Sequence, residues 1–305
     1  MQTKPKKTKP FPRLKIGVSI VIFLLLAITG GIWYWNTHKK TIIKNKLETA
    51  VREKSDGLYK IKYDSLAMDE IGGYLSISNM NLSYDSTRYL AIKKSGKGPA
   101  FLLNIQIPEI SVSGVKTPRA LLENEIVGRK LEIKNPVITI FYTNPGSETS
   151  GDLPRQEVYE QILGNLDLIQ ADTVIVSGAQ ITTTNRQTGK KGMHLKDVFI
   201  TLVDVKVDSL SSADSTRMFF AKASNISFGQ VVWSSANKLY TYNATGISVS
   251  SATRLLRMKS FRIVPALNEE AFVKALATQD DRFEFSVSNI EIQNVNLREL
   301  FEEEN

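Results

Sequence analysis

The hydrophobic pattern of the chain changes character twice. An unbroken apolar run occupies Ile16–Trp35, a stretch of twenty residues without a charged side chain. As a helix it would rise roughly 30 Å, the thickness of a bilayer's hydrocarbon core. Thr37–Glu53 then carries apolar residues at helical spacing. From Leu58 onward the period falls to two, which is typical of half-buried strands.

The first run predicts a transmembrane helix that is retained as a signal anchor. A cleaved signal peptide is the alternative, but it would have a shorter apolar core followed by small residues. This run ends instead in bulky aromatic rings suited to the headgroup layer. The predicted anchor residues are Ile16, Phe23, Leu25, Trp33, Tyr34 and Trp35.

These changes of period divide the chain into four predicted segments. They are a basic tail at residues 1–15, the anchor at 16–35, a juxtamembrane amphipathic helix at 36–57 and a β-rich domain at 58–305. The spacing of the juxtamembrane helix allows it either to cap the domain or to lie among lipid headgroups.

A short strand pattern recurs in the β-rich domain. Two apolar residues with one polar residue between them are followed by two spacer residues and then by a second such pair. An example is Leu75-Ser-Ile77-Ser-Asn-Met80-Asn-Leu82. Further copies begin at Ile105, Leu131 and Phe285, and a weaker one begins at Val174. The extra spacer shifts the alternation of side chains between the two faces of the strand by one residue. A β-bulge at that point would return both apolar pairs to one face, whereas a tight corner would not. Asn, Gly and Pro at the break favour a bulge or bend.

The repetition also extends over longer distances. A shift of 180 residues aligns Ile105–Val115 with Phe285–Val295. Asp85-Ser-Thr-Arg88 recurs as Asp214-Ser-Thr-Arg217, each before a predicted strand. Two repeats, at about 58–145 and 171–305, are one interpretation of this similarity.

The pattern as a whole predicts a mainly β fold with a few short helices. No strand–helix–strand rhythm is present, so about fourteen to sixteen strands are expected, and their pairing is expected to be predominantly antiparallel. The expected helices are Pro118–Val127, Pro154–Gln170, Asn268–Thr278 and one beginning at Asn296.

Charge is distributed unevenly along the chain. The formal net charge is +8, but residues 1–54 contain twelve Lys or Arg and two Glu, a net +10, which leaves −2 for the remainder. The basic residues therefore flank the anchor, where they meet anionic headgroups. A nucleic-acid interface needs a basic face on the folded domain, so no nucleic-acid partner is expected. The more basic flank precedes the anchor, which predicts a cytoplasmic N-terminus.

The sequence offers little chemistry for catalysis. The absence of Cys excludes disulfides, thiolate metal sites and a Cys nucleophile. His38 lies in the basic flank, and His194 lies beside a Lys-Lys-Gly turn without carboxylates at ligand spacing. Asp280-Asp281 favours a solvated turn over a cation site. With no phosphate-loop, dinucleotide, nucleophile-elbow or zincin motif, a non-enzymatic protein without cofactor or metal is expected.

Several features in order resemble the N-terminal part of AsmA-like proteins, the group that includes TamB, and the chorein-type bridge-like lipid-transfer proteins. They are the anchor, the short helix, Tyr59–Leu66, Gly73–Asn79 and the repeated strand units. The resemblance covers residues 14–142 well and the remainder loosely. It implies a bacterial inner-membrane anchor and an elongated, curled β-groove in the periplasm. It also implies a role in moving phospholipid toward the outer membrane or in envelope biogenesis. A groove of this length would not span a periplasm alone.

Under this interpretation the apolar residues of the strand units line the groove and contact acyl chains. The alternative is a scaffold module for other envelope proteins, with the same strands closed into a sandwich without ligand. A subunit of a larger export machine would instead expose an apolar patch on its outer surface. An open apolar face would favour the lipid groove over the sandwich. The expected lining residues are Ile77, Ile105, Ile107, Ile110, Val112, Ile133, Ile138, Phe285, Val287 and Ile290.

The predicted topology can be tested with reporters fused after Asn305. Because the short basic tail should stay in the cytoplasm, alkaline phosphatase at that position should be active and green fluorescent protein should be dark. The opposite pattern would place the β-rich domain in the cytoplasm and contradict the envelope interpretation.

Overall fold

The computed structural model of the protein describes part of the chain between residues 48 and 296. Within this range it does not describe residues 50, 54, 70–71, 97, 100, 116–124, 144–167, 209, 212–213, 215, 218–219, 236 and 277–280. The predicted tail, the anchor and most of the juxtamembrane helix lie outside the described residues. In the described part, no helix has the length and apolar character needed to cross a membrane.

The described chain is mainly β, with few short helices. Helix α1 (Ser86–Lys94) and helix α2 (Glu269–Ala275) each connect two strands. The strands are β1 (Tyr59–Lys62), β2 (Ser65–Asp69), β3 (Tyr74–Tyr84), β4 (Phe101–Ser113), β5 (Glu125–Lys134), β6 (Val137–Tyr142), β7 (Leu168–Asn185), β8 (Lys191–Val207), β9 (Ala221–Ser234), β10 (Tyr240–Ser250), β11 (Leu255–Pro265) and β12 (Phe285–Gln293).

All of these strands belong to one elongated sheet. Its order is β1-β3-β4-β5-β7-β8-β9-β10-β11-β12, with β2 beside β3 and with β6 between β4 and β7. β1 and β2 lie end to end against β3, and β5 and β6 lie end to end between β4 and β7. The sheet therefore grows strand by strand along the sequence and does not fold back into a second layer of strands.

The prediction of a predominantly antiparallel sheet misses two parallel pairs. β5 and β6 both pair with β7 in parallel, so the sheet is mixed. A parallel partner needs a connection of a dozen or more residues, and the chain between Tyr142 and Leu168 is long enough. Two predicted helix ends are also wrong, because Glu125–Val127 and Leu168–Gln170 are strand. The rest of those two predicted helices lies outside the described residues.

The two helices show how a capping side chain decides local structure. The predicted helix at Asn268–Thr278 is present as α2, and the Asn268 side chain accepts a hydrogen bond from the Ala271 amide (2.9 Å). Helix α1 lies where a strand was expected. The Asp85 side chain accepts a hydrogen bond from the Arg88 amide (2.9 Å), and this N-cap favours a helix over a strand.

The second copy of the Asp-Ser-Thr-Arg motif does not form such a helix. There the Asp214 carboxylate accepts hydrogen bonds from Thr216, and the buried Arg217 guanidinium faces Asp214 and Asp204. Arg217 Nη1 also donates to the Phe220 carbonyl (3.1 Å), which fixes the connection between β8 and β9. The same four-residue sequence thus adopts two different local structures.

A line of residues in the left-handed backbone region crosses the sheet where the sequence pattern breaks. Asn79, Asn135, Asp197 and Asn289 have φ between +50° and +57°, a region that Asn and Asp tolerate better than other side chains. The strand register places this line, which we call the crease, across neighbouring strands. It follows Asn79, Pro108, Asn135, Gly178, Asp197, Gly229, Gly246, Lys259 and Asn289.

The crease is a shared bend and, over most of the sheet, not a bulge. Between β3 and β4 the register is the same on both sides of it, since Ile77 faces Ile110 and Met80 faces Ile107. Each strand therefore carries the same extra residue as its neighbour, whereas a bulge would add one to a single strand. Register shifts are present between β7 and β8. The bend keeps both apolar pairs of a unit on one face, and in β3 all four are at most 1% exposed.

The crease predicts a specific sensitivity at Gly246. Its φ is +58°, and an added Cβ would lie 2.9 Å from the Lys259 Cβ. Gly246→Ala should therefore lower the free energy of unfolding of the full chain by about 1–2 kcal/mol. Ser248→Ala, at an exposed position on the same strand, should change it by less than about 0.5 kcal/mol. Equal effects in denaturant titrations would show that the crease is not strained.

Candidate functional site

One face of the sheet is apolar along its whole length. Paired residues of neighbouring strands point to the same side, so the register assigns each side chain to a face. In β7–β12 this apolar face comprises Val174, Val176, Ile200, Leu202, Ile226, Ile247, Val249, Leu256, Met258, Ile290 and Ile292 on one side of the crease. On the other side it comprises Ile181, Leu195, Val231, Trp233, Tyr242, Phe261, Ile263, Phe285 and Val287.

Over β1–β6 the apolar face belongs to a closed core. Val51, Leu58 and Tyr89 pack with it from the segment before β1 and from α1, and each is at most 1% exposed. The Tyr59 hydroxyl accepts a hydrogen bond from the Leu103 amide (3.1 Å). Burial, opposed by that hydrogen bond, raises the pKa of Tyr59 to about 12. The described residues of this half of the sheet therefore pack as a closed core.

Most of the predicted lining residues lie in this closed part. Ile77, Ile105, Ile107, Ile110, Val112 and Ile133 are buried core residues, and Ile138 packs against them. Phe285, Val287 and Ile290 lie at the opposite end of the sheet, on β12, where they are half-buried or exposed. All ten share the apolar face, but only the β12 residues border an open surface.

Over β7–β12 the same face is largely uncovered by the described residues. Its side chains are mostly half-buried, and Phe285 and Ile292 at the β12 edge are 47% and 50% exposed. Described helix α2 covers only one corner, where Phe272 packs on Tyr240 with ring centroids 5.4 Å apart. The exposed apolar surface is therefore continuous with the buried core, and the described residues cover parts of it with α2 and with Val295.

A row of aromatic rings lies on this open part. Trp233 and Tyr242 stack with their centroids 5.1 Å apart, and Phe261 lies 6.1 Å from Trp233. Phe285 continues the row, 6.5 Å from Phe261. The sequence pattern predicted Phe285 as a lining residue, but it did not predict that role for Trp233, Tyr242 or Phe261. Their alternation with polar neighbours, as in Tyr240-Thr-Tyr242, was the available signal.

The opposite face, which we call the polar face, carries mainly polar side chains together with the exposed Phe199 and Val203. It carries Thr201, Asn225, Ser227, Ser248 and Arg257, which border a shallow cavity of about 210 Å³. The Arg257 guanidinium donates to the Glu291 carboxylate (3.0 Å) across two strands. Hydroxyl, amide and guanidinium groups line this cavity together with Phe199 and Leu255, so a hydrocarbon chain in it would lie beside polar groups that must lose water.

The described residues offer no metal site or catalytic cluster of acids and histidines. No group of three or more His, Cys, Asp or Glu is close enough to hold a metal ion in the described part. His194 lies on β8, and its Nδ1 is 2.7 Å from the Thr182 hydroxyl. Burial, together with the charges of Lys196 and Lys191, lowers the pKa of His194. Asp280, one of the predicted acidic pair, lies outside the described residues.

Comparison with known proteins adds no family or relative. No model of a known protein family matches the chain, and no curated protein matches its sequence. The AsmA-like resemblance therefore stays a prediction from the strand pattern, and function is inferred from the geometry of the apolar face.

The two ends of the apolar face should respond differently to a buried charge. Ile107 is 3% exposed and Ile292 is 50% exposed, although both lie on the same face. Ile107→Asp should destabilise the full chain by several kcal/mol, about 3–5, because the carboxylate has no partner and no water. Ile292→Asp should cost less than about 1 kcal/mol, since its carboxylate stays hydrated. Similar melting temperatures for the two variants would contradict the division into closed and open parts.

Proposed function

We propose that the protein is a membrane-anchored envelope protein that binds the acyl chains of phospholipid on the apolar face of β7–β12. The observation that carries this proposal is the contrast between the two ends of one face. Over β1–β6 a second layer covers it, and over β7–β12 the described residues leave most of it open. The role is one of binding and transfer, without catalysis.

The chemistry of the open face suits a hydrocarbon chain. Exposed apolar surface is unfavourable by about 25 cal/mol per Å², so an apolar ligand that covers it is stabilised. The backbone amides and carbonyls here are paired within the sheet. A ligand without hydrogen-bonding groups therefore leaves no buried polar atom unsatisfied. Flexible acyl chains also tolerate a face that bends at the crease.

The position of this face along the sequence supports a location in the envelope. The closed core follows directly after the predicted anchor at residues 16–35, and the open part comes later in the chain. In the proposed arrangement the anchor lies in a bacterial inner membrane, the N-terminus is cytoplasmic and the β-rich domain is periplasmic. The sheet then acts as an AsmA-like groove for lipid on its way to the outer envelope.

A scaffold function is the second candidate. The closed core of β1–β6 supports it, because a fully packed module can serve as a docking platform without any ligand. In that case the open face would be covered by another envelope protein and not by lipid. Lipid content distinguishes these two candidates.

The test uses two neighbouring positions of β10 that point to opposite faces. Ile247 belongs to the apolar face, and Ser248 points to the polar face. The full chain, extracted in detergent, should carry phospholipid that mass spectrometry detects in a fixed ratio to protein. Ile247→Asp should lose most of this lipid, because a carboxylate beside an acyl chain must be desolvated. Ser248→Asp should retain it.

Melting temperatures provide the control for folding. Both variants should melt within a few degrees of the wild-type chain, since both carboxylates can reach water. A wild-type protein that carries no phospholipid would contradict the proposal and favour the scaffold. Equal lipid loss in both variants would show that the apolar face is not the binding surface.

A further inference from the structure

Two hairpins at one end of the open part of the sheet carry cations, whereas the β11–β12 connection at the same end carries Glu269 and Glu270 on α2. The β7–β8 hairpin and the β9–β10 hairpin emerge at this same end, since Thr184 pairs with Lys191 and Ser234 pairs with Thr241. The two hairpins contribute no Asp or Glu. They carry Arg186, Lys190, Lys191 and Lys238, which we call the basic rim.

The described residues supply no counter-ion to the cations of the basic rim. In the described part of the chain, no carboxylate lies within ion-pair distance of any of the four, and the three lysines are exposed. The Arg186 guanidinium lies 4.5 Å from the centre of the Tyr89 ring and 5.8 Å from that of Tyr84. Its buried Nε has no hydrogen-bond partner. Stacking therefore holds this guanidinium in place and leaves its Nε free to donate a hydrogen bond.

The opposite end of the same strands is different. There Lys206 pairs with Asp208 (2.7 Å), and Lys222 and Arg217 both contact Asp204. The hydrogen bond from Lys222 holds the pKa of Asp204 below its usual value. Much of the positive charge at that end is thus balanced by carboxylates, whereas the described residues offer no carboxylate partner to the basic rim beside the apolar face.

Aromatic side chains border the apolar face next to the basic rim. Trp233 is the next-to-last residue of β9, and its stacking partner Tyr242 lies near the start of β10. Trp and Tyr favour boundaries between apolar and polar surroundings, as at the headgroup level of a bilayer. The sheet therefore presents an apolar surface, then amphipathic rings and then cations. This order matches the acyl chains, the interfacial region and the phosphate headgroup of a phospholipid.

We infer that the basic rim binds the phosphate group of a phospholipid whose acyl chains lie on the apolar face of β7–β12. This inference rests on the proposed function and adds an orientation to it. The headgroup lies at the end of the sheet with the β7–β8 and β9–β10 hairpins, and the chains extend from it across the aromatic row. Lipids with a phosphate are then preferred over neutral lipids with the same chains.

The experiment compares two acyl-labelled fluorescent lipids, phosphatidylglycerol and diacylglycerol, on the detergent-solubilised full chain. The rim variant is Lys190→Gln/Lys191→Gln/Lys238→Gln, which leaves the stacked Arg186 unchanged. The control variant is Lys62→Gln/Lys196→Gln/Lys259→Gln, which removes three exposed charges away from the basic rim. Both lower the net charge by the same amount, so non-specific attraction is matched.

The rim variant should bind phosphatidylglycerol about tenfold more weakly, because several exposed charges each contribute modestly. The control variant should change this affinity less than about twofold. Diacylglycerol should bind all three proteins equally. Inorganic phosphate alone should bind the wild type far more weakly than phosphatidylglycerol does. If it binds the basic rim equally tightly, the rim is an ion site and the inference is wrong.

Other outcomes separate this inference from the proposed function. If the wild type binds both lipids and the rim variant is unchanged, the orientation is wrong and the lipid-binding function stands. If the wild type binds neither lipid, the proposed function itself fails. If the rim variant loses both lipids equally, the lysines act on the fold and the inference is wrong. If the rim variant loses binding only to phosphatidylglycerol vesicles and not to the solubilised lipid, the rim lysines bind a membrane surface. That result would also overturn the inference.

Discussion

The structure depends on one constraint, which is that every strand must keep its apolar residues on the same face across a change of alternation. An extra residue in a strand would normally invert the faces beyond it. Here neighbouring strands carry the extra residue at matching positions, and a left-handed residue such as Asn79, Asn135 or Asn289 takes up the change in direction. The hydrogen-bond register of β3 and β4 is therefore preserved through the bend. One apolar face continues over the length of the sheet as a result.

The two ends of this face meet the hydrophobic requirement in different ways. Over β1–β6 the segment containing Val51 and Leu58 and the helix containing Tyr89 supply a second layer. Over β7–β12 the described residues supply α2 at the corner with Phe272, and Val295 against the buried Ile226 and Val249. Burial in the first part provides stability to the domain. The second part keeps apolar surface available, which is the condition for binding a hydrocarbon ligand.

Local patterns predicted much of this arrangement, and long-range pairing explains what they missed. Period-two alternation identified the strands, and the two-spacer break at Asn79 and Asn289 located the crease. The parallel pairing of β7 could not be predicted, because it depends on where the chain returns after Tyr142. The sequence pattern did not predict helix α1, because Asp85-Ser-Thr-Arg88 has the form of a repeat that precedes a strand. In the structure Asp85 caps a helix instead. The sequence pattern could not distinguish buried Ile107 from exposed Phe285, since a second layer covers only the former.

The central claim is that acyl chains lie on the apolar face of β7–β12 and not on its polar face. Photo-cross-linking from two phenylalanine positions tests it most directly, since Phe261 lies on the apolar face and Phe199, which is 48% exposed, lies on the polar face. Benzoylphenylalanine would replace one of these two phenylalanines at a time in the membrane-bound full chain. After irradiation, mass spectrometry would identify the adducts. If acyl chains lie on the apolar face, phospholipid adducts form from position 261, and few or none form from position 199. Adducts from position 199 alone, or protein adducts without lipid from position 261, would contradict it.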